Sequence, residues 1–138
     1  MIKSKISKPR NSGKWSEARF HAFIVSALRK AQWGPKYDCI KKAFKRFGVN
    51  QATGRGCGFY SCAKCSGEFM QKDMSADHIE PVVAVEGFST WEVYISRLFV
   101  EIDGFQALCW KCHSSKTEAE NALRKSNKKT NSAERILL

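Results

Sequence analysis

The sequence predicts a small α+β domain preceded by two amphipathic helices, and three observations carry that expectation. Two C-x-x-C pairs, Cys62/Cys65 and Cys109/Cys112, have 43 residues between them. Short runs rich in β-branched and aromatic residues, bounded by turn residues, lie around and between those pairs. Before residue 48, apolar residues recur at three-and-four spacing. A chain of 138 residues has room for one compact domain with extensions, which excludes an enzyme built of separate cofactor and substrate lobes.

The elements follow in order. Residues 1–14, with Lys3, Lys5, Lys8, Arg10 and Lys14, read as a flexible basic arm, and 15–58 as a basic helical extension. In that extension Phe20, Phe23, Ile24, Ala27, Leu28 and Ala31 form the apolar stripe of a first helix, which Gly34-Pro35 ends. A second helix runs from Pro35 to a cap at Gly48, with Tyr37, Ile40, Ala43, Phe44 and Phe47 as its stripe. Its outer face carries Lys36, Lys41, Lys42, Lys45 and Arg46. The glycine-rich stretch 51–58 reads as a joint. Strands are expected at 59–62, 68–69 and 74–79, the last stopped by Pro81. Ser89 and Glu92 make a capping box for a helix with Trp91, Ile95, Leu98 and Phe99 on its apolar side. A strand at 105–108 leads into a helix over about 111–125, and 126–138 reads as a polar tail.

Charge points to the partner. There are 24 Lys and Arg against 13 Asp and Glu, a formal +11. Residues 1–55 hold fourteen cations and two acids, 56–110 three and eight, and 111–138 seven and three. Basic arms around an acidic centre suit a site that acts on a polyanion. No run of eighteen apolar residues and no signal peptide is visible, so the expected location is the cytoplasm, without a membrane partner. In a reducing compartment six cysteines are ligands or free thiols rather than disulfides.

Two residues between thiols let one tight turn aim both sulfurs at a point, and two such turns complete the tetrahedral sphere of zinc. Cys62, Cys65, Cys109 and Cys112 are therefore expected to hold a structural Zn²⁺ in a treble-clef arrangement, with one knuckle on a hairpin and the other at a helix start. Cys39 fits a buried small hydrophobe, and Cys57 has no assigned role.

Inside the loop that zinc would close lies Asp77-His78-Ile79-Glu80-Pro81, and His113 follows the second knuckle at once. Cys112 and His113 differ by about 100° around a helix, so one can face zinc while the other faces the strand, together with Lys116, Thr117 and Glu120. Asp77 and His78 would point to opposite sides of a regular strand, so a site shared by both requires the strand to bend or end there. An Asp77 oxygen and a His113 nitrogen would leave most of a divalent cation's sphere open to water and phosphate, with His78 as a base.

The pattern C-x2-C … D-H-I-x-P … F-Q-x-L-C-x2-C-H-x2-K resembles the HNH endonucleases of the ββα-metal, or His-Me finger, class, in particular the zinc-knuckle kind common in bacteriophages. The resemblance covers roughly residues 59–120 and places the nuclease domain at 59–125. It implies metal-dependent cleavage of double-stranded or branched DNA. His78 would be the general base, and Asp77 and His113 the ligands of one catalytic Mg²⁺ or Mn²⁺. Candidate DNA contacts are Lys41, Lys42, Lys45 and Arg46 on the second helix, and Lys116 beside the site. One departure stands out: the family usually has Asn where this chain has Gly104, so either Asp103 replaces it or backbone contacts hold the loop, and if the loop is merely under-supported Gly104→Asn is expected to leave activity equal or higher. The rival expectation is a non-catalytic zinc-finger module that binds nucleic acid, a polymerase or a host protein.

Overall fold

The computed structural model describes residues 5–137, with side chains described through 129. It is a mixed α+β chain with four α-helices and two small antiparallel sheets among the described residues. It divides into two compact units, Met1–Gln32 and Trp33–Leu138. The expected boundary at 58/59 is thus displaced, because that point lies inside a strand.

In the first unit α1 spans Glu17–Lys30 and is capped by Ser16, whose hydroxyl accepts from Arg19 N. The arm expected to be flexible is a structured turn over part of its length. Arg10 and Trp15 bridge, and the Arg10 guanidinium bonds Glu17 at 3.1 Å and covers the Phe20 ring at 4.4 Å. Residues 1–4 of that arm and Leu138 of the expected tail lie outside the described residues.

The second unit begins with α2, Gly34–Lys42, whose Pro35 sits in the first turn. The second helix is therefore shorter than expected. Phe44–Val49 is strand β1, antiparallel to β2, Gly56–Ser61, which pairs in turn with β3, Glu68–Met70. The difference has a physical cause. The register slips between Phe44 and Arg46, and this bulge places Phe44 and Phe47 on one face, their rings 4.9 Å apart, at a spacing that imitates a helix. Lys45 and Arg46 accordingly lie on a strand, not on a helical face. The glycine-rich joint is a tight turn, where Asn50 Oδ1 accepts from Ala52 N, followed by β2 itself. Gly58 tolerates its place in that strand because the Phe44 ring fills the room a Cβ would take, 3.1 Å away.

β4, Met74–His78, pairs antiparallel with β5, Phe105–Cys109, and β5 runs directly into α4, Trp110–Leu137. α3 spans Trp91–Leu98 and is capped by Thr90 rather than Ser89, the Thr90 hydroxyl accepting from Val93 N. The final helix continues twelve residues past Lys125, so the expected tail is helical as far as it is described. No Gly or Pro interrupts 110–137, and polarity alone does not stop a helix. The core gathers Cys39 of α2, Cys62, Met74, Phe105, Ala107, Leu108 and Cys109. Cys39 is buried there, as expected for a small hydrophobe. No described helix is long and apolar enough to cross a membrane.

Candidate functional site

The turn between β2 and β3 carries Cys62 and Cys65. Cys62 N donates to Gly67 O, Ser66 N donates to Cys62 O, and Ser66 takes φ 59°, which curls the chain so that both sulfurs point inward. Gly67 is required because a Cβ there would meet the Phe69 ring at 2.8 Å and Cys65 Sγ at 3.3 Å. Ala63 N donates to Ala107 O at 2.8 Å and fastens this knuckle to β5. Cys109 closes β5 and Cys112 lies in the first turn of α4. All four sulfurs lie within 4.8 Å of one another, Cys65 and Cys109 at 4.0 Å. Sulfurs bound tetrahedrally at about 2.3 Å would stand roughly 3.8 Å apart, so the cluster fits a structural metal such as zinc.

The thiols already differ electrostatically. Burial raises the Cys62 thiol, but the backbone N–H groups of Cys65, Cys109 and Lys64 outweigh it and bring it to about 6. Cys112 is pushed up to about 12, first by its hydrogen bond to Cys109 and then by burial. One thiolate shared among four sulfurs resists a second charge, and a divalent cation removes that resistance.

Beside this cluster β4 presents Asp77 to α4. Asp77 is only 9% exposed. Its Oδ1 stands 3.7 Å from His113 Nε2, and its Oδ2 is 3.0 Å from Lys116 Nζ and accepts from Gln106 Nε2 at 3.0 Å. Lys116 also donates to the His78 carbonyl at 2.9 Å and to Glu120 at 2.6 Å. Burial would lower the Lys116 ammonium, but Glu120 and Asp77 together hold it above its ordinary value. Lys116, expected at DNA, is thus engaged inside the site. Gln106 and Glu120 complete the cluster. Gln106 was legible only as the cross-strand partner of Asp77, a register that the sequence does not state.

Of the expected bend or end at Asp77-His78, the strand shows the end: β4 stops at His78 without bending before it. The ladder stays regular through His78, whose partner is Phe105. Asp77 therefore faces Gln106 and α4, while the His78 ring lies on the other face, 4.6 Å from the Phe105 ring, with Nε2 2.9 Å from Leu98 O. A carbonyl only accepts, so this contact requires the proton to be on Nε2. Among the described residues, the four cysteines alone form a group of three or more His, Cys, Asp or Glu able to hold a metal. Asp77 and His113 are a pair, without His78 in their company.

The segment after His78 is held by backbone. Ile79 N donates to Gly104 O at 3.0 Å, and Gly104 N donates to Glu101 O at 2.9 Å. A Cβ on Gly104 would meet Val100 Cγ2 at 2.6 Å and Cβ at 2.7 Å. An Asn at position 104 would enter only by displacing Val100, so any gain expected of Gly104→Asn has that displacement set against it.

Arg46 is also engaged, bonding Glu68 at 2.6 Å and stacking over the Phe59 ring at 4.4 Å. Lys41, Lys42 and Lys45 are exposed. Further along α4, Arg124 donates to Val83 O and Asn127 to Val85 O, which straps the loop after β4 to the helix. A cavity of about 430 Å³ between them is lined by Glu86, Arg124, Lys125 and Lys128, among others. Its cations were legible in principle, since Lys116, Glu120, Arg124 and Lys128 recur every four residues along one side of α4.

Comparison with known protein families, with curated proteins and with solved structures gave no match for this chain.

Proposed function

We propose that the chain is a zinc-stabilised, metal-dependent endonuclease of the HNH kind acting on DNA, with β4, β5 and α4 as its ββα-metal unit. The observation that carries this reading is the Asp77–His113 pair at the junction of β4 and α4, within one helical turn of a four-cysteine cluster. Two ligands in cis at about 2.1 Å would stand about 3 Å apart, so a small side-chain adjustment from 3.7 Å suffices for Mg²⁺ or Mn²⁺.

The His78 ring and the Asp77–His113 pair flank the end of β4 from opposite faces. A phosphodiester lying across that end would meet a base on one side and a cation on the other, the disposition that in-line displacement needs. In this reading His78 Nδ1 accepts a proton from water as the water oxygen attacks phosphorus, the bond to the 3′ oxygen breaks, and that oxygen takes a proton from solvent, so the products are a 5′-phosphate and a 3′-hydroxyl. Asp77 and His113 would hold the divalent ion, which when bound would supply charge stabilisation at the leaving oxygen. The cations at the far end of α4, Lys125 and Lys128, suit the flanking phosphates.

A second reading is favoured by two observations: the His78 imidazole faces away from Asp77, and Lys116 already gives Asp77 a cation at 3.0 Å. This is a zinc-stabilised module that binds nucleic acid without cutting it. Mn²⁺ binding to zinc-loaded protein, followed by electron paramagnetic resonance, separates the two. The nuclease reading expects one Mn²⁺ per chain, lost in Asp77→Asn and bound about tenfold tighter in Lys116→Met, which removes a competing charge. Because Lys116 is held above its ordinary value of 10.5, raising the pH from 7 to 9 does not relieve that competition. Absence of Mn²⁺ binding in both the parent and Lys116→Met leaves the binding module as the better account.

A further inference from the structure

Phe47 is 82% exposed on β1, which forms an edge of the three-stranded sheet. The bulge at Lys45 turns Phe47 to the same face as Phe44, and opposite them β2 offers Gly58 and Gly56, partners of Phe47 and Val49. Phe44 packs edge-on against the ring of its own partner Tyr60, 5.8 Å away, whereas Phe47 has only glycine opposite it and presents most of its surface to solvent. A phenylalanine kept so exposed has no role in the core described above.

The surroundings say what covers it. Between Asp38 and Glu68 the chain carries Lys41, Lys42, Lys45, Arg46, Arg55 and Lys64 and no acid. That charge repels a second copy of the same hairpin. The bulge and the adjacent Lys45 and Arg46 also discourage strand addition at this edge. A flat π face on a hairpin whose exposed cations include Lys45 and Arg55 matches a partner that alternates flat rings with anionic groups.

We propose that the β1–β2 hairpin is a stacking platform for unpaired bases of single-stranded DNA, with Phe47 against a base and Lys45 and Arg55 at the neighbouring phosphates. The choice of DNA rests on the nuclease reading; the platform itself is read by binding and needs no cleavage. It directs the enzyme to DNA that contains an unpaired stretch, such as a branch or a frayed end.

The test is fluorescence anisotropy with labelled oligo(dT) of about 12 nucleotides, a blunt duplex of equal length and oligo(rU), in buffer without added Mg²⁺ or Mn²⁺. Phe47→Leu keeps an apolar side chain but has no π face, and at so exposed a position it leaves the fold intact. It should weaken oligo(dT) binding about 5- to 100-fold while duplex binding changes little, and Phe47→Trp should restore the affinity. Unchanged oligo(dT) binding in Phe47→Leu overturns the platform. So does an equal loss on duplex or a preference for oligo(rU). Plasmid cleavage by the parent is scored separately, so the platform can fail while the nuclease stands, and the reverse.

Discussion

At position 104 the family pattern and the local packing make opposite demands. An amide there would pin the histidine loop in a family member, whereas in this chain the Gly104 carbonyl already receives Ile79 N. The Val100 side chain occupies the place of a Cβ. Gly104→Asn is accordingly expected to destabilise the second unit by roughly 1–3 kcal/mol, the usual cost of overpacking, seen as a lower thermal midpoint. An unchanged midpoint would mean that Val100 moves aside freely. The same contrast marks what was legible among single residues. Asp77, His113 and the four cysteines could be chosen because ligand types at fixed spacing carry chemistry in the sequence itself. The His78 ring's direction could not, since it depends on whether a strand ladder stays in register for one more residue. The engagement of Lys116 and Arg46 was equally hidden, because their partners Asp77 and Glu68 lie 39 and 22 residues away.

Among the elements, the sequence is most readable where one period stands alone and least where a bulge mixes two. α1, α3, β4 and β5 lie close to their expected positions. β1 reads as helix in the sequence because its bulged register mimics three-residue spacing, and the end of α4 reads as tail because a polar run resembles a stop. The packing of α2 on β4 and β5 changes what a metal held by the four cysteines would support. Removing zinc with a strong chelator is expected to loosen the whole unit from Trp33 onward, including α2, rather than only the part after residue 58. Hydrogen exchange on zinc-loaded and stripped protein checks this. Protection that disappears from β2, β5 and α2 together is the expected result. Acid acts in the same direction, because the four thiols must be deprotonated to hold the ion. Protection unchanged after complete removal of zinc would show that the apolar core suffices by itself.

For the whole molecule the net charge of +11 was legible at once, while the division of labour among those charges was not. Arg10 is engaged by Glu17 and Phe20, Arg46 by Glu68, and Lys116 by Asp77 and Glu120. Deleting residues 1–9 removes Lys3, Lys5 and Lys8 but spares the Arg10 turn. It is expected to lower the slope of log K against log salt for duplex DNA by at most about 2.7, which is about 0.9 for each phosphate no longer neutralised. An unchanged slope would place the electrostatic contacts elsewhere. The proposed chemistry lies at the end of β4, and supercoiled plasmid incubated with zinc-loaded protein and Mg²⁺ or Mn²⁺ addresses it most directly. Nicked or linear product that requires the added ion is predicted, falling by a factor on the order of 10² to 10⁴ in His78→Ala, the usual contribution of a general base. No cleavage by the parent protein, or cleavage by His78→Ala as fast as by the parent, would contradict it.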